Sequence, residues 1–318
     1  MAPLPIARLL LAMLLPIAST VALANETPAE CAKAVVAGEP DADAETIRLR
    51  CEIPQAHMKD VAMAEVIGRA IPQSRTTLEL ALDPMRGDPR FMSAFVPNAS
   101  ETLIVQDSPD DDIRVAFYSD RGQEPSVIAE ATLGSDYKVE TAKILDNPRP
   151  LDATEAKMRR ALRLALAQHP RECGDWGFEK YVYPMTRFQQ TGWLVVLVGR
   201  NAKGETPVGG HHFYRVDDEG ERIDFAYSQT QDCSAVAIDH LGGTRSRGVI
   251  HDASEAPTAF HVLSAWQATQ PYYVLTTKNG RVWKIEGFRI ALAAPDSPQA
   301  IALRKAYEAR AAKAGGTQ

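Results

Sequence analysis

The segment Val208–Tyr227, VGGHHFYRVDDEGERIDFAY, sets two histidines side by side after two glycines and ahead of a run of acids. Imidazole is the side chain best suited to proton transfer and metal ligation near neutral pH, so His211 and His212 are candidate proton shuttles for a hydrolase. On a strand, adjacent side chains leave on opposite faces. His211, Phe213 and Arg215 then share one face, and His212, Tyr214 and Val216 share the other. The pair cannot grip one metal ion as a unit, and only a histidine facing a cleft keeps a claim to function. The competing reading is an ordinary strand with one satisfied histidine. His261 is the third candidate shuttle. His240 and His251 are scattered, and neither a His-Glu-x-x-His nor a Cys-x-x-Cys spacing accompanies any of them. A metal-binding module would have to gather its ligands from distant segments, so no residue is assigned to a metal and no cofactor is expected.

Other chemistry-bearing patterns are missing. The chain has no Gly-x-Ser-x-Gly elbow, no Walker A loop and no Rossmann glycine fingerprint. The acid run Asp107–Asp112 lacks the spaced ligands, glycine and closing glutamate of an EF-hand loop, and reads as a solvated loop. Of the four cysteines, Cys173 stands near His169 in HPRECGDW, a thiol nucleophile in one reading. The other reading is disulfides, with Cys31–Cys51 and Cys173–Cys233 favoured because each pair then lies within one structural region.

That choice turns on compartment. Arg8 is the only charged side chain before Glu26, the apolar run LLLAMLLPI follows it, and Ala22-Leu23-Ala24 supplies a small-x-small cleavage signal. The expectation is a signal peptide over residues 1–24, cleaved between Ala24 and Asn25, and a soluble periplasmic mature protein with no membrane span. Arg8 is one of 35 basic residues, against 41 acidic ones, so its loss leaves a more negative mature chain. Such a balance argues against nucleic acid as a partner.

The elements expected to position these residues follow from periodicity. Residues 25–74 read as helical, with Met58, Val61, Ala62 and Glu65 on one face and an end near Ala70 marked by Pro72. Leu78, Leu80 and Leu82 alternate like a strand, and 76–82 also fits a helix, as does 126–133. Thr102–Val105, Ile113–Ser119, Ser126–Leu133 and Tyr137–Ile144 also read as strands. Asn147-Pro148-Arg149-Pro150 suggests a boundary, dividing 25–147 from 148–318, though the two parts also fit one continuous domain. Asp152 and Glu155 make a capping box for a helix over 152–168, with an apolar stripe of Met158, Leu162, Ala165 and Leu166. Strands are expected at Lys180–Pro184, Trp193–Gly199, Gly210–Val216 and Arg222–Tyr227, then at Thr258–Trp266, Tyr272–Thr277 and Arg281–Ile285. Lys278-Asn279-Gly280 gives a hairpin signal between the last two. A final helix opens at Ser297-Pro298.

The fold class expected is α+β, with antiparallel sheets packed against a few helices. Helix 152–168 followed by a strand meander resembles the cystatin-like and PepSY-like plan over Leu151–Tyr227, which implies a curved antiparallel sheet wrapped on one helix. GGHHFYRV and NGRVWKIEGFRI resemble segments of uncharacterised exported proteins of Gram-negative bacteria, which implies location and no activity. The functional expectation is a non-enzymatic binding or regulatory protein of the cell envelope, partnered by an envelope protein or ligand through its sheet face. A periplasmic hydrolase and a metal-binding module are the alternatives.

Overall fold

In the computed structural model, the described residues are 28–38, 42–94, 100–105, 111–120, 124–172, 177–188, 190–200, 209–229, 247–268 and 270–315. The fold is α+β, with three four-stranded, mainly antiparallel sheets among the described residues. The chain divides into two units, one of residues 70–235 and one of residues 1–69 with 236–318. No helix of the described residues is long and apolar enough to cross a membrane. The expected cleavage site at Ala24 and Asn25, and Cys173, Cys233 and His240, lie outside the described residues.

In unit 70–235, strands β1 (Ser100–Val105), β2 (Ile113–Ser119), β3 (Ser126–Leu133) and β4 (Val139–Pro150) form an antiparallel sheet in that order. Alternation sorts β2 between two cores. Ile113, Val115 and Phe117 pack with Met85 and Phe91, while Ala116 and Tyr118 face Met158 and Leu162. Arg114 is the residue of β2 that stays in solvent. β4 is an edge strand, where proline is tolerated. Val127 pairs with Arg149 but Ala129 with Ile144, so residues 145–148, Pro148 among them, bulge out of the ladder. The suspected boundary residues Asn147–Pro150 therefore belong to β4.

The helix at Ala153–Leu166 starts where its capping box places it. The Asp152 side chain accepts from the Glu155 N–H, and Glu155 accepts from the Asp152 N–H, both at 2.8 Å. Its buried stripe is Met158, Ala161, Leu162 and Ala165. His169, in the left-handed region at φ 51°, follows its end. Strands β5 (Phe178–Pro184), β6 (Trp193–Gly199), β7 (His211–Val216) and β8 (Ile223–Gln229) then form an antiparallel meander. Phe178, Val182, Trp193, Val195, Leu197, Tyr214 and Val216 pack into one core with the helix stripe. Trp193–Gly199 is buried along its whole length, as its uniform hydrophobicity requires.

Unit 1–69 with 236–318 begins with α1 (Pro28–Gly38) and α2 (Ala44–Cys51), joined by the Cys31–Cys51 disulfide with Cα atoms 5.9 Å apart. Helix α3 (Gln55–Leu82) lends this unit its first part. β9 (Arg247–His251), α6 (Ala259–Ala268) and β10 (Tyr272–Thr276) make a parallel crossover, and β11 (Arg281–Glu286) and β12 (Arg289–Leu292) complete an antiparallel meander. In chain order α4 is Pro89–Ala94, α5 is Ala153–Leu166 and α7 is Pro298–Gly315. The Asn279-Gly280 turn joins β10 to β11, with Gly280 at φ 69°.

The buried carboxylate of Glu65 ties this unit together. It accepts from Arg50 Nη1 at 2.9 Å, the Ile290 N–H at 2.7 Å and Arg289 Nη1 at 3.3 Å. A buried charge is tolerated only when paired and hydrogen-bonded in this way.

Two expected strands are helices. Leu78–Leu82 lies inside α3, which also continues through Pro72 rather than ending before it. Ile71, Ser74, Thr77 and Ala81 take the buried positions at helical spacing, while Leu78, Leu80 and Leu82 are half-buried. Small and polar residues face inward here, so hydropathy alternation points to the wrong set. Pro72 removes one ladder hydrogen bond, which that burial offsets. Thr258–Trp266 is mostly α6. Ala259, Phe260, Val262, Leu263 and Ala265 are all buried, and an apolar run covered on most sides carries neither period.

Candidate functional site

The three candidate histidines are buried and bonded. Strand geometry separates His211 from His212. His211 is fully buried, and its Nδ1 accepts from the Gly199 N–H at 3.0 Å. His212 lies on the face that carries the α5 core, with its ring edge-on to Phe178 at 5.5 Å and stacked on Tyr214 at 6.4 Å. Its Nε2 lies 3.0 Å from the Arg171 carbonyl and its Nδ1 lies 2.8 Å from Ser228 Oγ. A carbonyl only accepts, so Nε2 carries the proton and Nδ1 takes the hydrogen bond of the serine hydroxyl. Burial holds the His212 pKa below the ordinary histidine value, against the opposing pull of the Arg171 carbonyl.

His261 belongs to the other unit. Its Nδ1 accepts from the Thr258 N–H at 3.0 Å, and its ring meets His251 edge-on at 4.7 Å. His251 Nε2 accepts from the Ser254 N–H at 3.1 Å. Both rings are buried, so this pair packs the interior. The described residues contain no group of three or more His, Cys, Asp or Glu side chains that could hold a metal ion.

Open space lies elsewhere, in unit 70–235. A cleft of about 500 Å³ opens over the face of β2, β3 and β4 beside the start of α5. Ala116 and Leu151 give it apolar walls, and Arg114, Glu130, Arg149, Asp152 and Glu155 give it charge, while the side chains of Val115 and Ala131, also on its lining, belong to the core on the other face of the sheet. Glu155 is fully buried at its back. Arg149 grips both Glu155 oxygens at 2.8 Å and donates from Nε to Glu130 at 3.0 Å. Such a two-pronged guanidinium–carboxylate pair fixes both partners in one plane. Lys143 Nζ holds the other Glu130 oxygen at 2.9 Å. Burial works to raise the Glu130 pKa, but the hydrogen bonds from Lys143 and Arg149 outweigh it and hold the carboxyl below its usual range.

Arg114 is the loose member. Its side chain is 44% exposed, and it meets Asp152 Oδ2 at 3.0 Å. The Nη1 that makes this contact also lies 3.7 Å from Glu155 Oε1, so a ligand carboxylate that takes this guanidinium exchanges the Asp152 contact and a longer one to the buried pair. The lining sets two guanidiniums against three carboxylates, so it offers no surplus positive charge for a polyanion.

No family model, curated protein or solved structure matches this chain. The site is therefore read from its own geometry.

The sequence pointed to histidines and missed the cleft. Glu155 was visible only as a helix cap, and Arg149 only as a residue between two prolines. Arg114 and Glu130 alternate out of strands and carry no motif. Their convergence depends on the β4 bulge, which brings Arg149 opposite Val127 rather than further along the strand.

Proposed function

We propose that this protein is an exported binding or regulatory protein of the cell envelope, and that it takes its ligand in the Arg114–Arg149 cleft. The cleft carries the reading: a concave, partly apolar surface with a few convergent polar groups is the usual form of a ligand site. The ligand is a small zwitterionic or carboxylate-bearing molecule, such as a peptide end. Its anionic group meets Arg114, any ammonium group meets Asp152 or Glu130, and its apolar part lies on Ala116 and Leu151. Export to the periplasm is supported by the apolar leader and by the Cys31–Cys51 disulfide, a bond that persists in oxidising compartments.

A thermal-shift screen of amino acids, short peptides and dicarboxylates tests the site. A ligand at about 100 times its Kd stabilises the folded state by about 2.7 kcal/mol. That shift should vanish in Arg114→Glu and survive in Lys138→Glu, an exposed control outside the cleft lining. A screen without hits, or hits unaffected by Arg114→Glu, would remove the cleft as the site. Terminal sequencing of protein from a periplasmic fraction tests export, with Asn25 as the expected first residue.

A further inference from the structure

We propose that Ser228 is a nucleophile, activated by His212 for attack on carboxylic esters. This goes beyond the binding reading and uses different residues. β7 and β8 are antiparallel neighbours that set Ser228 directly opposite His212. Side chains directly opposite each other in such a pair point to the same face within contact distance. Ser228 is exposed, whereas His212 is only 4% exposed. An exposed residue thus carries a hydroxyl hydrogen-bonded to a base that solvent barely reaches.

The arrangement has the three parts of an activated nucleophile: hydroxyl, base and orienting acceptor. The Ser228 Oγ–His212 Nδ1 distance is 2.8 Å, and the orienting acceptor is the Arg171 carbonyl at 3.0 Å. A backbone carbonyl here does the work that a carboxylate does in a serine triad. It fixes the proton on Nε2 and directs the lone pair of Nδ1 at the serine. When Nδ1 takes a second proton, the same carbonyl faces the imidazolium that forms. Phe178 and Tyr214 hold the ring from edge and face.

The chemistry closes without any other co-reactant. Ser228 Oγ bonds to the ester carbonyl carbon as its proton passes to His212 Nδ1. The tetrahedral adduct collapses, the bond to the alcohol oxygen breaks, and the alcohol leaves with that proton. Water then gives a proton to Nδ1 as its oxygen bonds to the acyl carbon. The bond to Ser228 Oγ breaks and the serine recovers the proton, so ester and water become acid and alcohol.

The test is labelling of the full folded chain with an alkyl fluorophosphonate, which bonds to an activated serine and releases fluoride. Peptide mapping should place the label on Ser228, and Ser228→Ala should abolish it. General-base help contributes about 10²–10⁴-fold, so His212→Gln should slow labelling by at least about 100-fold. Because a change at buried His212 can disturb folding, the wild-type protein supplies a second measurement. Its Ser228 labelling should fall to the level of its other serines once it is unfolded in urea. Hydrolysis of p-nitrophenyl acetate should show the same dependence on Ser228. Labelling of folded Ser228 no faster than in the unfolded chain, or label confined to other serines, would overturn the proposal and leave the pair as a cross-strand hydrogen bond.

Discussion

Acid should destabilise this protein through His251, by an amount the structure sets. Burial is the largest influence on His251 and lowers its pKa, Asp252 opposes the shift and Lys278 adds to it, so the ring is pushed from 6.5 down to about 4. The folded state thus binds this proton less readily than the unfolded chain. Above about pH 6.5 neither state holds it, and the ring contributes no pH dependence. As pH falls from 6.5 towards 4, the unfolded chain protonates first and stability drops. Below about pH 4 both states are protonated and the loss levels off at about 3 kcal/mol. His251→Gln isolates this effect, since its amide oxygen can still accept from the Ser254 N–H but does not titrate. Urea unfolding of both proteins, followed by Trp fluorescence from pH 8 to pH 4, measures it. At pH 8 the variant should be weaker by about 1–2 kcal/mol, for lost ring packing against His261. The gap should close and reverse by pH 4.5. Wild-type and variant curves that stay parallel within about 0.5 kcal/mol would refute the reasoning.

Further tests address single contacts. Replacing Cys31 and Cys51 by serine opens a link across a sequence separation of 20; the loop-entropy relation gives a loss of about 3 kcal/mol, read as a lower melting temperature that reductant lowers no further. Glu65→Gln should cost about 3 kcal/mol or more in denaturant unfolding, because it leaves the buried Arg50 guanidinium without its carboxylate. Gly192→Ala should cost about 1–3 kcal/mol, since Gly192 sits at φ 98° and an added Cβ would lie 2.3 Å from the Val216 carbonyl oxygen. Gly87→Ala, where an added Cβ meets nothing within 4 Å, should melt within a degree or two of wild type and serves as its control.

What the sequence made legible is what local chemistry decides. The Asp152–Glu155 capping box needs only neighbours along the chain, and α5 starts where it says. The Asn279-Gly280 turn likewise needs only a left-handed glycine. Strands β2 and β6 announce themselves by alternation and by unbroken hydrophobicity. Helix α3 was harder, because Ser74 and Thr77 occupy buried positions that hydropathy assigns to leucines. Helix α6 hid inside an apolar run that suits either element. The candidate sites were least legible. The separation of His211 from His212 followed from strand geometry, but the contact between His212 and Ser228 needs the β7–β8 register. The cleft needs residues from β2, β3, the bulge in β4 and the start of α5, and no local pattern encodes that meeting.

Glu65 also sets an order of events during synthesis. The disulfide cysteines and Arg50 precede it, but the Ile290 N–H that completes its shell stands 225 residues later. At the usual rate of chain growth that is a delay of roughly 10–45 s. In that interval the carboxylate has only Arg50 and water. A chain stopped before β12 would leave Glu65 without the Arg289 and Ile290 donors that complete its shell. The unit therefore cannot close on an incomplete chain, and unfinished copies remain open to proteases until the last strand arrives.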